Sequence, residues 1–162
     1  MFDRESLALA SLVLDRCRDR GLHLATAESC TGGLIAGCLT GIPGSSHVVD
    51  RGFVTYSNSS KTQMLGVPPE LVMSCGAVSE EVARAMAEGA LSEAGVDIAV
   101  AVTGIAGPDG GTSEKEVGLV HIAVALAGRE TSHERHTFTG DREEVRLASV
   151  AAALRLLTRR LA

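Results

Sequence analysis

The stretch from Asp97 to Gly111 constrains the fold of this chain more than any other. Ile98-Ala99-Val100-Ala101-Val102 is a near-continuous apolar run, rich in β-branched residues. A strand with no polar face has to be covered on both sides, as in sheets held between helical layers. The run ends in Thr103-Gly104-Ile105-Ala106-Gly107-Pro108-Asp109-Gly110-Gly111, a loop too rich in glycine to continue as strand or helix. A helix precedes the strand. Ser79 is its cap, Glu80 and Glu81 fill its first turn, and Gly95 follows its last.

The rest of the chain alternates in the same manner. Glu5 to Arg20 carries a broad apolar face (Leu7, Leu9, Leu12, Val13, Leu14, Cys17) and stops at Gly21. His23 to Ala27 reads as a short strand and Leu34 to Leu39 as a buried helix ending near Thr40 to Gly44. Val48 to Tyr56 reads as a strand, Asn58 to Leu65 as a helix capped by Ser57 or Asn58, and Pro68-Pro69 as the start of a short turn or helix. Val117 to Ala127 and Glu130 to Phe138 flank Gly128-Arg129 as a hairpin, and the polar second arm suits a sheet edge. Asp141 to Leu161 is the final helix. The expected architecture is a three-layer α/β/α sandwich with a mixed, mostly parallel sheet of about five strands.

At 162 residues the chain suits a single domain over 1–162, large enough to need no disulfide or metal staple. The longest apolar run is Ile122 to Ala127, far short of the roughly 20 residues of a membrane span. The charge-interrupted N-terminus is unlike a signal peptide. A net charge of −5, no basic stripe and four aromatic residues argue against general nucleic-acid binding, though not against one small phosphate-bearing ligand. Cys17, Cys30, Cys38 and Cys75 show no C-x-x-C spacing and read as reduced thiols of a cytoplasmic protein.

Four places can carry chemistry. Ser29 lies between a strand and a glycine-started helix, where side chains project beyond the carboxyl end of a sheet. The amides of Thr31, Gly32 and Gly33 at that helix start suit a phosphate or an oxyanion; alternatively Ser29 caps the helix and the glycines only fit a turn. Cys30 is a rival nucleophile, or a buried structural thiol. Lys61 serves as a general base only if burial depresses its pKa, with Tyr56 relaying a proton or holding it; otherwise it is a solvated lysine beside a core tyrosine. The glycine loop with Gly104 and Gly107 suits close approach to a ligand, or is a surface turn. Arg142 and Arg146, one turn apart behind the cap Asp141, either reach a phosphate or pair with glutamates on a solvated face. No metal site is expected. His133 and His136 fall on opposite faces of one strand, and His23, His47 and His121 lack ligand-spaced partners.

Five blocks in order resemble one family. They are Thr26 to Gly33 (TAESCTGG), Arg51 to Asn58 (RGFVTYSN) with Lys61, Gly76 to Ser79 (GAVS), Thr103 to Gly111 (TGIAGPDGG), and Gly140 to Arg142 (GDR). The family is the C-terminal domain of the competence/damage-inducible protein CinA, also known as nicotinamide mononucleotide deamidase. The likeness covers nearly the whole chain, but not the larger N-terminal domain of full-length CinA proteins. Glu116 departs from the proline that often follows Glu-Lys there. The resemblance implies a cytoplasmic bacterial amidohydrolase that turns nicotinamide mononucleotide and water into nicotinic acid mononucleotide and ammonia, a step of pyridine-nucleotide salvage. It implies a serine nucleophile at Ser29, a lysine at Lys61 and a supporting tyrosine at Tyr56, with no cofactor. Substrate contacts are expected from Thr31, Gly32, Gly33, Gly104, Gly107 and Arg142, in a homo-oligomer. The alternative is a non-catalytic nucleotide-binding or protein-partner module linked to competence or DNA damage.

Overall fold

The computed structural model describes residues 1–162. Its elements run α1 (Arg4–Asp19), β1 (Leu24–Glu28), α2 (Leu34–Thr40), a 3₁₀ turn (Ser45–His47), β2 (Val49–Val54), α3 (Asn58–Leu65), α4 (Pro69–Cys75), α5 (Glu80–Ala94), β3 (Ile98–Gly104), β4 (Leu119–Leu126), β5 (Ser132–Thr137) and α6 (Arg142–Arg160). The strands form one mixed sheet in the order β2-β1-β3-β4-β5. β1 pairs parallel with both β2 and β3, whereas β4 runs antiparallel to β3 and to β5. Four strands therefore share a direction and β4 alone opposes them. The polar arm β5 is one edge, as its composition predicts, and β2 is the other.

The alternation of side chains sorts the core into two halves. Ile98, Val100 and Val102 of β3, with Val120, Ile122 and Val124 of β4, pack against α1, α2 and α6. Ala25, Ala27, Ala99, Ala101, Ala123 and Ala125 face the other way, toward Val82, Ala83, Met86, Ala87 and Ala90 of α5. Bulky β-branched residues thus fill the α1/α6 side, and small residues let α5 lie close on the opposite side. The result is the three-layer arrangement that the doubly covered strand demands.

Caps set the element ends. Ser57, not Asn58, caps α3, its Oγ accepting from the Ser60 amide. That cap ends β2 at Val54 instead of Tyr56: Ser57 already starts the next helix, and the Thr55 amide makes the last bond to β1, donating to Glu28 O. Asp141 and Glu144 form a reciprocal capping box at the start of α6. The chain leaves β1 for β2 through α2 on one face and leaves β2 for β3 through α3–α5 on the other. β1 leads to β2 on one side and its neighbour β3 leads to β4 on the other, so their outgoing connections diverge. The space beyond their carboxyl ends is the topological switch point, where open α/β sheets bind ligands.

Candidate active site

Ser29 directly follows β1 at this switch point, and its amide donates to Val102 O on β3 at 2.9 Å. Strand alternation decides what surrounds it. Thr26 and Glu28 face α2, while Ala25, Ala27 and then Ser29 face the α3/α5 layer. Lys61 and Leu65, one turn apart on α3, are that helix's buried residues. Lys61 Nζ lies 3.2 Å from Ser29 Oγ and donates to the Thr55 carbonyl at 2.9 Å. Only 1% of Lys61 is exposed, which rules out a solvated lysine.

Burial pushes the Lys61 pKa down from its ordinary value of 10.5 because the ammonium form loses its hydration. The charge that works against this is a thiolate at Cys30. Burial in turn pushes the Cys30 thiol up to about 12, so at neutral pH it is uncharged and leaves the lysine effect unopposed. The same protonation removes Cys30 as a rival nucleophile, since the thiolate is the reactive form. A serine hydroxyl facing a desolvated amine can be deprotonated and attack an acyl carbon.

A cavity of about 250 Å³ opens at Ser29, with Lys61 behind it and outside the lining. Ser29 and Cys30, Tyr56, Arg142, Gly104 to Gly107, Asp109 and Gly110 line it. Tyr56 is 60% exposed, so it is no core residue. It does not hold Lys61: the Thr55 carbonyl does, and Tyr56 Oη instead accepts from Arg142 Nη2 at 2.9 Å. Arg142 Nη1 donates to Gly107 O at 2.8 Å, tying α6 to the glycine loop. A larger groove of about 630 Å³ shares Ala106 and Arg142 with the cavity and runs along the start of α6.

Thr31, Gly32 and Gly33 do not line the cavity. The first amides of α2, at Ile35 and Ala36, donate to the Glu28 carboxylate at 2.8 and 3.0 Å, and the Gly32 amide donates to Ser29 O. The anion at this helix start is thus the protein's own. Gly104 and Gly107 do line the cavity, but their missing side chains answer to packing. A Cβ on Gly104 would lie 2.7 Å from Val120 Cγ2, and one on Gly107 2.5 Å from Val117 Cγ1. Arg146 is not paired with a glutamate. Its Nε and Nη2 donate to the carbonyls of Cys30 and Thr31, clamping the turn after Ser29.

Sequence reasoning passed over Glu28, which is 1% exposed and held by neutral donors alone. The signal was an acid directly before a helix-opening turn. It also passed over a pairing of histidines. His133 and His136 do face opposite sides of β5, but strand pairing sets His121 Nδ1 2.8 Å from His133 Nε2.

A profile of the CinA C-terminal domain matches residues 6–161. The chain belongs to the CinA C-terminal domain family. A CinA-like protein of Geotalea uraniireducens is 51% identical over 161 residues, and one of Geobacter sp. is 56% identical over 140. These cover 99% and 86% of this chain but 38% and 34% of the relatives, so the chain spans under two fifths of their length. The crystal structure of the competence/damage inducible protein CihA from Agrobacterium tumefaciens is similar along its whole length. Its TM-score is 0.96 at 49% identity, covering 98% of this chain and 97% of that one.

Proposed function

We propose that this CinA domain is an amidohydrolase that converts nicotinamide mononucleotide and water to nicotinic acid mononucleotide and ammonia. The observation that carries the reaction type is the buried Lys61 amine 3.2 Å from the Oγ of Ser29, which lines a recess of about 250 Å³. The family resemblance supplies the substrate. Neutral Lys61 takes the Ser29 proton as Oγ bonds to the carboxamide carbon. The resulting ammonium returns that proton to the departing nitrogen, so ammonia leaves and an acyl ester remains on Ser29. Water, deprotonated by the same amine, then attacks the ester and frees the carboxylate and the serine. The Thr55 carbonyl holds the amine in line throughout. Arg142, anchored by Gly107 O and Tyr56 Oη, puts a fixed cation on the cavity wall, where it meets the nucleotide phosphate.

Ammonia release from nicotinamide mononucleotide tests this reading. Ser29→Ala and Lys61→Ala should each lose at least about 10³-fold in kcat with the fold intact. Cys30→Ala should retain activity. kcat/KM should rise with pH as Lys61 loses its proton, with a midpoint below the ordinary lysine value of 10.5. Full activity in either dyad variant removes that residue from its role. A wild-type chain that binds the nucleotide without releasing ammonia is a binding module.

A further inference from the structure

We propose that Asp109 and the ring of Tyr56 form a subsite for a cationic, N-alkylated pyridinium ring, so that the cavity selects charged pyridine carboxamides over neutral ones. This rests on the amidase reading above and adds to it how the substrate ring is recognised.

Asp109 is the only acidic residue lining the cavity that holds Ser29. It is exposed, and its carboxylate makes no hydrogen bond or ion pair with any other side chain or backbone group. In lacking a partner it is unlike Asp141 and Glu28, whose carboxylates cap helices. The same recess is lined by Tyr56, the chain's only tyrosine in a sequence without tryptophan. Its hydroxyl is pinned by Arg142, while most of the side chain stays exposed. A fixed aromatic face attracts a cation through its quadrupole, and an unpaired carboxylate attracts it through charge. Lys61 adds no competing charge when neutral. The remaining cation, Arg142, is held at the Tyr56 hydroxyl and at Gly107 O, so its guanidinium sits at the hydroxyl end of the ring, where the phosphate of a nucleotide would meet it. A neutral nicotinamide meets neither attraction, and the carboxylate product is repelled by Asp109.

The test compares nicotinamide mononucleotide, nicotinamide riboside and 1-methylnicotinamide with neutral nicotinamide, on the wild type, Asp109→Asn and Asp109→Glu. The preference in kcat/KM for 1-methylnicotinamide over nicotinamide should fall about tenfold in Asp109→Asn, the scale of one partly screened charge pair, and return in Asp109→Glu. An unchanged preference overturns the proposal. So does a loss confined to the two ribosylated compounds, which assigns Asp109 to the sugar hydroxyls. Binding gives a second readout. In Ser29→Ala, 1-methylnicotinamide should quench Tyr56 emission saturably, at least about tenfold more tightly than nicotinamide, and Asp109→Asn on that background should abolish the difference. Equal binding of the two amides overturns the subsite whether or not they turn over. Saturable, charge-selective quenching with no ammonia release from any compound overturns the amidase reading alone.

Discussion

Replacing Glu28 by alanine should destabilise the protein and disturb Ser29 together. The Glu28 carboxylate accepts from the Ile35 amide at 2.8 Å, the Ala36 amide at 3.0 Å and, more weakly, Thr26 Oγ at 3.3 Å. Without it, two first-turn amides of α2 lose their acceptor. Ile35 is fully buried, so no water replaces it there. A stranded buried donor costs about 1–3 kcal/mol, and a charge at a helix start contributes about 0.3–1 kcal/mol. Allowing for the half-buried Ala36, the loss is about 3 kcal/mol, or a fall in Tm of roughly 6–12 °C at this chain length. α2 has only seven residues, too few to hold helical form unaided. Guanidinium unfolding gives the free energy, and hydrogen exchange at Ile35 and Ala36 reports the cap directly. Glu28→Gln keeps one carbonyl acceptor and should lose about half as much. If the proposed reaction is followed as well, kcat should drop with little change in KM, because the residue holds the nucleophile and does not touch substrate. A loss below about 1 kcal/mol in Glu28→Ala, or unaltered exchange at those amides, refutes the reasoning.

Two further perturbations test the surrounding structure. Gly104→Ala places a methyl group 2.7 Å from Val120 Cγ2 and 2.9 Å from Leu119 O, so it should cost about 1–3 kcal/mol as β3 and β4 are forced apart; an unshifted urea midpoint contradicts the packing explanation for this glycine. The buried His121, lowered to about 4 by burial and then by His133, stays neutral in the folded state while the unfolded chain takes up a proton below about 6.5. The unfolded state then binds more protons, so stability should fall as pH drops from about 6.5 to 4, by at most about 3 kcal/mol. His121→Gln should flatten that part of the stability–pH curve, and an identical curve places the acid sensitivity elsewhere.

Much of the architecture is written locally. A run such as Ile98 to Val102 has no polar face to turn outward, so helical layers on both sides follow from it. Ser79 with two glutamates, Asp141 with Glu144, and Gly128 between two strands mark ends and turns through hydrogen bonds that span three or four residues. The Ser29 position was also legible, since a polar residue between a strand and a glycine-led helix has nowhere to point but the sheet end. Other local readings misled. The helix start after Gly33 carries unpaired amides in any sequence, but here Glu28 reaches back to fill them. Arg142 and Arg146 share a helix face, but one is tied to Tyr56 and the glycine loop and the other to the turn after Ser29.

Period, cap and turn chemistry along the chain are sufficient for the layers, most element boundaries and the place where a ligand enters. They act over a few residues and carry the same meaning wherever the segment ends up. The pairing of Ser29 with Lys61 is of another kind. The two are 32 residues apart, and nothing in their neighbourhoods states that the lysine is buried or that its pKa is lowered. That depends on strand order, which sets β2 beside β1, and on the α3 connection, which brings Lys61 in on the face where Ser29 emerges. Desolvation is a property of the assembled core, so the chemistry of this amine comes into being only when the layers close over it.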